Sequence, residues 1–503
     1  VVPRPVLVAD SGRIRSGRLA GLTMNRAIFV LSWPILAESL MNSLVGLVDT
    51  TLAAGLSEAA ADAIGGASYI SWFLTLIGMS VGVGATALIS RAIGRGRRAF
   101  ADTAASQAIL LAFITGAIIG AVTFFAAAEI ARMLLLEGEA YAALVAYLRI
   151  CAFGVPMISL LTAGAACCRA AGDALRPLLT MVGVNIVNVI VSWALSGVDI
   201  AVSSINEAGE FSRRVLVENP FNFNMGISGI AIGTLAAWAL GGAVVTAWLV
   251  RGSPGVRIRA KRLKPNYFTM RRLIRVSTPN FAETFCMWFG NFLVLLMVGW
   301  MAIPGLLGAH IVAVRVEAFS FLPGFSMGLA AATLAGQYMG ARRSDLAAVA
   351  LRRSALLACA FMGCFGILFL TIPEQIVGLF TQQPSHLRTT PKIIQIAGAI
   401  QIPFAIMLVL RTGMRGAGDT KWAMILTWSS TYLIRIPAVY IFSGVDIPLP
   451  TWLPFASGQI IQNPSPFDLG LVGVWFALCG EICVRAILFS LRYLHGGWKN
   501  VRV

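Results

Sequence analysis

Two acidic residues lie in an apolar stretch near the start of the chain, where carboxylates are rare. The stretch covers residues 32–54, is long enough to span a bilayer, and contains Glu38 and Asp49. An ionised carboxylate in hydrocarbon is costly, so such a residue is a candidate functional group. On a helix the two acids would lie within about 20° of each other and about 16 Å apart. They can therefore face one cavity, but they cannot bind the same ion.

Three polar residues in later apolar stretches are candidate partners for Asp49. They are Asn185, Asn188 and Thr234. Their oxygens could coordinate a hard cation, or their hydrogen bonds could set the proton affinity of the carboxyl group. A purely structural carboxylate is the alternative, and we favour the functional interpretation.

Glu38 has a counterpart in the second half of the chain. The pattern Pro-x-x-Ala-Glu at residues 34–38 recurs at 279–283, which makes Glu283 the equivalent acid. Each Glu follows its Pro by four residues and so lies just beyond an expected kink. The pattern leaves two roles open: cation coupling, or hydrogen bonding to the backbone that the kink frees.

Further charges lie in apolar stretches of the second half. Arg315 and Glu317 are two residues apart and should point to different helix faces. We expect Arg435 to form a buried pair with Glu317 or Glu283, in a structural role or at a substrate cleft. Glu481 and Arg485, four residues apart, are interpreted as a pair that supports one helix.

Aromatic residues, methionines and prolines within the apolar stretches are weaker candidates. Met157 and Phe404 are among the side chains that could line an apolar cavity. Prolines inside apolar stretches mark candidate hinges, and they are Pro156, Pro323, Pro403 and Pro437.

The composition is that of a helical membrane protein. Hydrophobic residues make up 58% of the chain and charged residues 12%, whereas a soluble protein has about 25% charged residues. The eight cysteines have no metal-ligand spacing, and no phosphate-binding loop or nucleophile–base arrangement is found. We therefore expect neither enzyme activity nor a cofactor.

Twelve apolar segments are long enough to cross the membrane. They cover residues 27–54, 63–90, 103–128, 140–168, 174–197, 226–250, 272–300, 306–338, 346–372, 390–414, 420–443 and 468–492. Loops rich in Arg and Lys alternate with loops that lack them, which predicts that both termini are cytoplasmic. The net charge of +17 is thus an orientation signal at an inner membrane surface, and we expect no nucleic acid partner.

A repeat covers most of the chain. Residues 82–98 align with 328–344, and the Arg-x-x-Gly-Asp loop at 169–173 aligns with 415–419. Both pairs are 246 residues apart, so six spans are duplicated. An even number of spans gives both copies the same orientation, related by a pseudo-two-fold axis along the membrane normal, with the substrate path expected between them.

These features predict an all-α, polytopic membrane protein with two six-helix bundles. The predicted regions are a cytoplasmic tail, the first bundle, a basic cytoplasmic loop, the second bundle and a second cytoplasmic tail. They cover 1–26, 27–250, 251–271, 272–495 and 496–503.

The chain resembles the multidrug and toxic compound extrusion (MATE) family. The resemblance is carried by Pro34 with the Gly-Leu-Val-Asp-Thr stretch at 46–50, by the motif from 309 to 340, and by the two Gly-Asp loops. It implies a V-shaped cleft between two bundles and export of amphipathic, often cationic, compounds in exchange for Na⁺ or H⁺. It also implies a monomer in the cytoplasmic membrane, with the lipid bilayer and a small substrate as its partners.

The resemblance further implies which residues bind the coupling ion. In one branch of the family these positions fall on Asp49, Asn188, Ser192 and Thr234, with Ser192 where the family has Asp. In another branch they fall on Glu283 and Phe404, with Phe404 where the family has Asp. Neither set is complete, which favours a proton at Asp49 but leaves Na⁺ at Asp49 and Asn188 open.

Two other functions stay open on sequence grounds. A flippase for a lipid-linked precursor would need a basic cavity for pyrophosphate, for which Arg315 and Arg435 are the deep candidates. A non-transporting scaffold would have all its intramembrane acids paired.

Overall fold

The computed structural model describes residues 19–134, 136–205, 211–221, 223–252, 255–381, 383–448 and 460–501, most of them in helices. The first eighteen residues of the predicted tail lie outside the described residues. The α-helices are α1 (Met24–Leu56), α2 (Glu58–Gly94), α3 (Arg98–Met133), α4 (Gly138–Ala152), α5 (Val155–Ala170), α6 (Leu175–Ser196), α7 (Gly226–Arg251), α8 (Tyr267–Trp300), α9 (Leu306–Gly340), α10 (Ser344–Thr371), α11 (Pro373–Gly378), α12 (Pro384–Ala399), α13 (Gln401–Gly416), α14 (Thr420–Ser430), α15 (Ile436–Ser443) and α16 (Gly470–His495).

Within the described residues, ten helical segments are long and apolar enough to cross a membrane. Two bent pairs, α4 with α5 and α12 with α13, raise the number to twelve when each pair counts as one span. These twelve agree with the predicted segments to within a few residues at nearly every end. The apolar runs therefore located the spans, because a bilayer-crossing segment must satisfy its backbone within its own helix.

The bends lie where the sequence places prolines. The α4–α5 pair bends by 54° just before Pro156, and the α12–α13 pair bends by 59° just before Pro403. Proline lacks the amide hydrogen and its ring clashes with the preceding turn, so a helix breaks there. Pro437 follows a π-helical turn at Thr431–Arg435, whereas α9 continues unbroken through Pro323.

The chain forms two compact units. The first comprises Trp33–Ile274, and the second joins Ala20–Ser32 to the residues from Arg275 onward. The first unit contains most of the predicted bundle 27–250 together with the predicted loop 251–271, and the first turns of α1 group with the second unit. There the Arg353 guanidinium donates to Asn25 Oδ1 over 3.2 Å. A 33-residue helix is about 50 Å long, so its two ends can belong to different groups of helices.

Each unit carries a β-hairpin in its predicted extracellular insertion. Strand β1 (Ile200–Ile205) pairs with β2 (Phe211–Val217), and β3 (Ile447–Pro448) pairs with β4 (Ile460–Ile461), both antiparallel. The sequence reasoning did not predict these strands.

The same two hydrogen bonds hold the segment that follows each hairpin. The backbone N–H of Asn219 donates to Asp199 Oδ1 over 2.8 Å, and the backbone N–H of Asn463 donates to Asp446 Oδ1 over 2.7 Å. Each Asn side chain also donates over 2.6 Å to a helical carbonyl, that of Trp193 or Tyr440. The duplication seen in the sequence therefore extends to the contacts of its insertions.

A buried ion-pair network lies in the second unit. Glu481 accepts from the Arg435 guanidinium over 2.7 Å and from the Arg485 guanidinium over 2.6 Å. The Glu481–Arg485 pair was predicted. The prediction that Arg435 pairs with Glu317 or Glu283 was wrong, because the approach of α16 to the π-helical turn offers Glu481 instead.

Glu481→Gln should destabilise the protein by about 3 kcal/mol, because it leaves two buried guanidinium groups without a carboxylate. The measurement is the free energy of unfolding in mixed micelles titrated with sodium dodecyl sulfate. Glu374→Gln makes the same chemical change on an exposed side chain of the same unit and should change stability by less than about 0.5 kcal/mol. Equal losses in the two variants would contradict a structural role for the network.

Candidate cation-binding site

Asp49 lies in α1 and is buried, with 4% of its surface exposed. Its carboxylate accepts three hydrogen bonds, and each donor is a neutral side chain. Thr234 Oγ1 and the Tyr147 hydroxyl donate to Oδ2 over 2.6 and 2.9 Å, and Asn188 Nδ2 donates to Oδ1 over 3.1 Å. Neutral hydrogen-bond donors therefore stabilise the Asp49 carboxylate in a site that is buried from water.

Four helices of the first unit bring these groups together. Tyr147 lies near the end of α4, just before the bend, while Asn188 and Thr234 lie on α6 and α7. The latter two helices pack very closely at the site, because a Cβ atom on Gly233 would collide with the Ser192 side chain. A larger residue at position 233 would push α7 away from α6 and move Thr234 off the carboxylate.

The charge of Asp49 has no counter-ion among the described residues, since no Lys, Arg or His nitrogen there lies within 4 Å of it. The amide oxygen of Asn188 is also buried without a hydrogen-bond partner in the described part of the chain. A carboxylate surrounded by hydroxyl and amide oxygens can bind a proton, or a hard cation that prefers oxygen ligands. Oxygen and nitrogen of an amide are assigned from the hydrogen-bond network, so rotation of Asn188 would turn its oxygen towards such a cation.

The predicted partners of Asp49 are partly correct. Asn188 and Thr234 contact the carboxylate as expected. Asn185 does not, because its amide donates to the backbone carbonyls of Met41 and Met181. Ser192 does not reach Asp49 directly. Its hydroxyl accepts from Asn188 over 3.3 Å, so it orients the amide.

Sequence reasoning missed Tyr147. This tyrosine lies in the fourth span directly after the apolar run 142–146, and it is buried with 4% exposure. A buried tyrosine hydroxyl almost always finds a partner, so its place in a span was a usable signal. Its spacing along the chain from Asp49 gave no hint of contact.

Glu38 and Glu283 occupy equivalent ion pairs in the two units. The Arg169 guanidinium donates to Glu38 over 2.6 Å, and that of Arg415 lies 2.6 Å from Glu283. Both arginines come from the repeated Arg-x-x-Gly-Asp loops. The alternative that each Glu forms hydrogen bonds to the backbone freed by a proline kink was wrong, because each carboxylate pairs with an arginine instead. Their participation in cation coupling stays a prediction.

The other candidate residues lie apart from Asp49. Arg315 is exposed and Glu317 partly buried on α9 of the second unit. Phe404, also in the second unit, is buried and its ring centroid lies 6.1 Å from that of Phe321. Met157 belongs to the first unit, where its backbone packs against the position of Gly242. Their roles in a substrate cleft stay predictions.

A duplicated helical membrane fold with polar groups buried between its helices is the arrangement of a membrane transport protein. The MatE family model matches residues 34–194 and again 279–441. The two matches cover more than half of the chain, and they fall on the two copies of the repeat. The chain belongs to the MATE family of multi-pass membrane transporters.

Curated relatives match nearly the full length. The chain is 25% identical over 483 residues to the Thermotoga maritima protein described as "Probable multidrug resistance protein NorM", covering 95% of this chain and 94% of the relative. It is 22% identical to the Pseudomonas aeruginosa "Multidrug resistance protein PmpM", covering 95% and 92%.

Solved structures show the same fold. A MOP superfamily transporter from Pyrococcus furiosus superimposes with a TM-score of 0.80 at 20% identity, covering 95% of this chain and 97% of the other. A MATE structure described as the bent conformation superimposes with a TM-score of 0.78 at 21% identity, covering 94% and 96%.

Tyr147→Phe should lower the free energy of unfolding and still leave the protein folded. It removes one hydrogen bond to a charged group, which is worth about 1.5–3 kcal/mol. The free energy of unfolding in mixed micelles at neutral pH measures the effect. Tyr141→Phe, on the same helix but less buried, is the matched control and should be neutral. A neutral result for Tyr147→Phe would mean that its hydroxyl does not hold an ionised Asp49.

Proposed function

We propose that this chain is a cation-coupled antiporter that exports amphipathic compounds across the cytoplasmic membrane. The observation that carries the proposal is the buried Asp49 carboxylate, which has three neutral donors and no counter-ion among the described residues. Relatives that match along the full length are described as multidrug resistance proteins, which supports export of drug-like molecules.

Coupling follows from the energetics of the acid. An ionised Asp49 in a water-excluded site is costly, and binding of one cation removes that cost. The helices around Asp49 therefore prefer one arrangement when the site is empty and another when a cation is bound. Cation binding favours one packing of α1 against α6 and α7, and cation release favours another. The bent and straight conformations described for two similar MATE structures support two such states.

We assign the proton as the coupling ion. The site has one carboxylate, since Ser192 stands where the resemblance leads us to expect a second acid, and it contacts Asn188 rather than Asp49. All three contacts to Asp49 are made by donors. Sodium would require at least the Asn188 amide to turn. We also propose cytoplasmic termini, from the charges of the loops.

The flippase alternative is less well supported by the positions of its candidate residues. The Arg435 guanidinium donates to Glu481 and, over 2.7 Å, to Asn291 Oδ1. Few of its N–H donors are therefore left to bind pyrophosphate. Arg315 is exposed on α9 and has no salt bridge within the described residues.

Asp49→Asn should reduce gradient-driven efflux, measured as substrate uptake into everted vesicles, to the level of vesicles without the protein, because the neutral amide cannot take up a proton. Asp62→Asn, which changes an exposed acid of the same unit, should transport normally. Unimpaired efflux by folded Asp49→Asn would refute the assignment of the site.

The coupling ion is tested separately in liposomes that contain purified protein. We expect an imposed pH gradient to drive export with no sodium gradient present. Export driven by a sodium gradient alone would overturn the proton assignment and leave cation coupling at Asp49 standing. No export with either gradient would refute the antiporter.

A further inference from the structure

A cluster of four arginines in the second unit, three buried and one partly buried, has fewer acids than positive charges within 4 Å. The cluster contains Arg411 and Arg415 of α13, Arg435 of the π-helical turn and Arg485 of α16. Within the described residues, the carboxylates within 4 Å of these arginines belong to Glu283 and Glu481. Four positive and two negative groups leave a net charge of +2.

The surplus charge is concentrated at Arg411. Arg435 and Arg485 share Glu481 and also bond to neutral oxygens of Asn291, Ser430 and Thr431. Arg415 contacts Glu283 Oε1 over 2.6 Å, whereas Arg411 Nη1 lies 3.9 Å from the same atom. One carboxylate oxygen cannot neutralise both guanidinium groups.

Arg411 has no oxygen acceptor within hydrogen-bond distance among the described residues. It is 7% exposed, and its Nε atom has no hydrogen-bond partner in that part of the chain. Its close contact is the sulfur of Met287 on α8, 2.9 Å from Nη1. Thioether sulfur is a weak acceptor, so a buried cation faces a group that barely compensates for its lost hydration.

The packing of these helices does not require an arginine at position 411. By the repeat offsets, Arg411 corresponds to Ala165, Arg485 to Gly241 and Glu481 to Ala237. The first unit packs its equivalent helices with these small residues, all of them buried or nearly so. A charge that packing does not need, and that its surroundings do not balance, indicates a ligand of opposite charge.

We propose that Arg411, with Arg415 beside it, is a binding site for the oxyanion group of an amphiphilic molecule. The planar guanidinium fork matches a carboxylate or phosphate with two parallel hydrogen bonds. Met287 is only partly buried, and its flexible side chain can move aside to admit the group. Most other residues of α13 and of the later part of α8, from 284 to 300, are apolar, which suits a ligand with an apolar body better than a hydrated inorganic ion.

The anionic group can belong to an exported compound or to a phospholipid. Only the first source rests on the proposed transport function. It then implies that the substrates include carboxylate-bearing or zwitterionic amphiphiles, beyond the cationic compounds expected from the family resemblance.

The test is ligand binding by the full-length protein in dodecyl maltoside, without any ion gradient. We expect decanoate to raise the unfolding temperature and to bind by calorimetry, whereas decylamine and inorganic phosphate do not. Arg411→Met should weaken decanoate binding about tenfold or more, as expected for loss of a charge-assisted hydrogen bond. Arg352→Met removes an exposed arginine of the same unit and should bind normally.

A second variant covers the case in which Arg411→Met does not fold. Met287→Glu places a carboxylate at the sulfur that now contacts Arg411. It should raise the unfolding temperature in the absence of ligand and abolish the response to decanoate. The same variants in nanodiscs distinguish the sources: stabilisation by phosphatidylglycerol over phosphatidylcholine that needs Arg411 identifies the lipid headgroup.

The proposal is overturned if decanoate and phosphatidylglycerol both leave the unfolding temperature unchanged, or if Arg411→Met responds as the unmodified protein does. Equal responses to decanoate and decylamine would also overturn it. Asp49→Asn should bind decanoate normally, so failure of the antiporter proposal and failure of the anion site are separable.

Discussion

The carboxylate of Asp49 is buried in an apolar helix, and among the described residues it meets hydrogen-bond donors but no positive charge. Most features of the first unit near it serve this group. The bend after α4 sets the end of the helix that carries Tyr147, and the close approach of α6 to α7 at Gly233 brings Asn188 and Thr234 within reach. Since an ionised acid is costly in such surroundings, its affinity for a cation is the physical basis of the proposed coupling.

The two units share their framework and differ in their buried polar groups. Both have a Glu–Arg pair between the Pro-x-x-Ala-Glu helix and the Arg-x-x-Gly-Asp loop, and both anchor a hairpin through the same Asp–Asn contact. Their interiors diverge, because the first unit buries an acid that has no counter-ion among the described residues, whereas the second gathers four arginines around Glu283 and Glu481. Shared contacts therefore maintain the fold, and the contacts that are not shared are where we place the ligand sites.

The fold could be predicted from the sequence because a bilayer-crossing helix is recognised by its length and apolarity. Nearly every end of the twelve predicted segments lies within a few residues of an end of a helix or bent helix pair. Asp49, Asn188 and Thr234 were found because polar groups in apolar runs are few. The partners of Glu38, Glu283 and Arg435 were not found, since pairing depends on which helices pack and on rotamers. The contact of Tyr147 with Asp49 and the surplus charge at Arg411 became visible only when the helices were assembled.

Infrared difference spectroscopy on the purified protein tests the role of Asp49 most directly, because it observes the carboxyl group itself. Changing the pH should alter the carbonyl band of a protonated carboxylic acid in the unmodified protein. That band should be lost in Asp49→Asn and retained in Asp62→Asn. If the band is the same in Asp49→Asn as in the unmodified protein, Asp49 does not take up the proton and the proposed coupling has no basis.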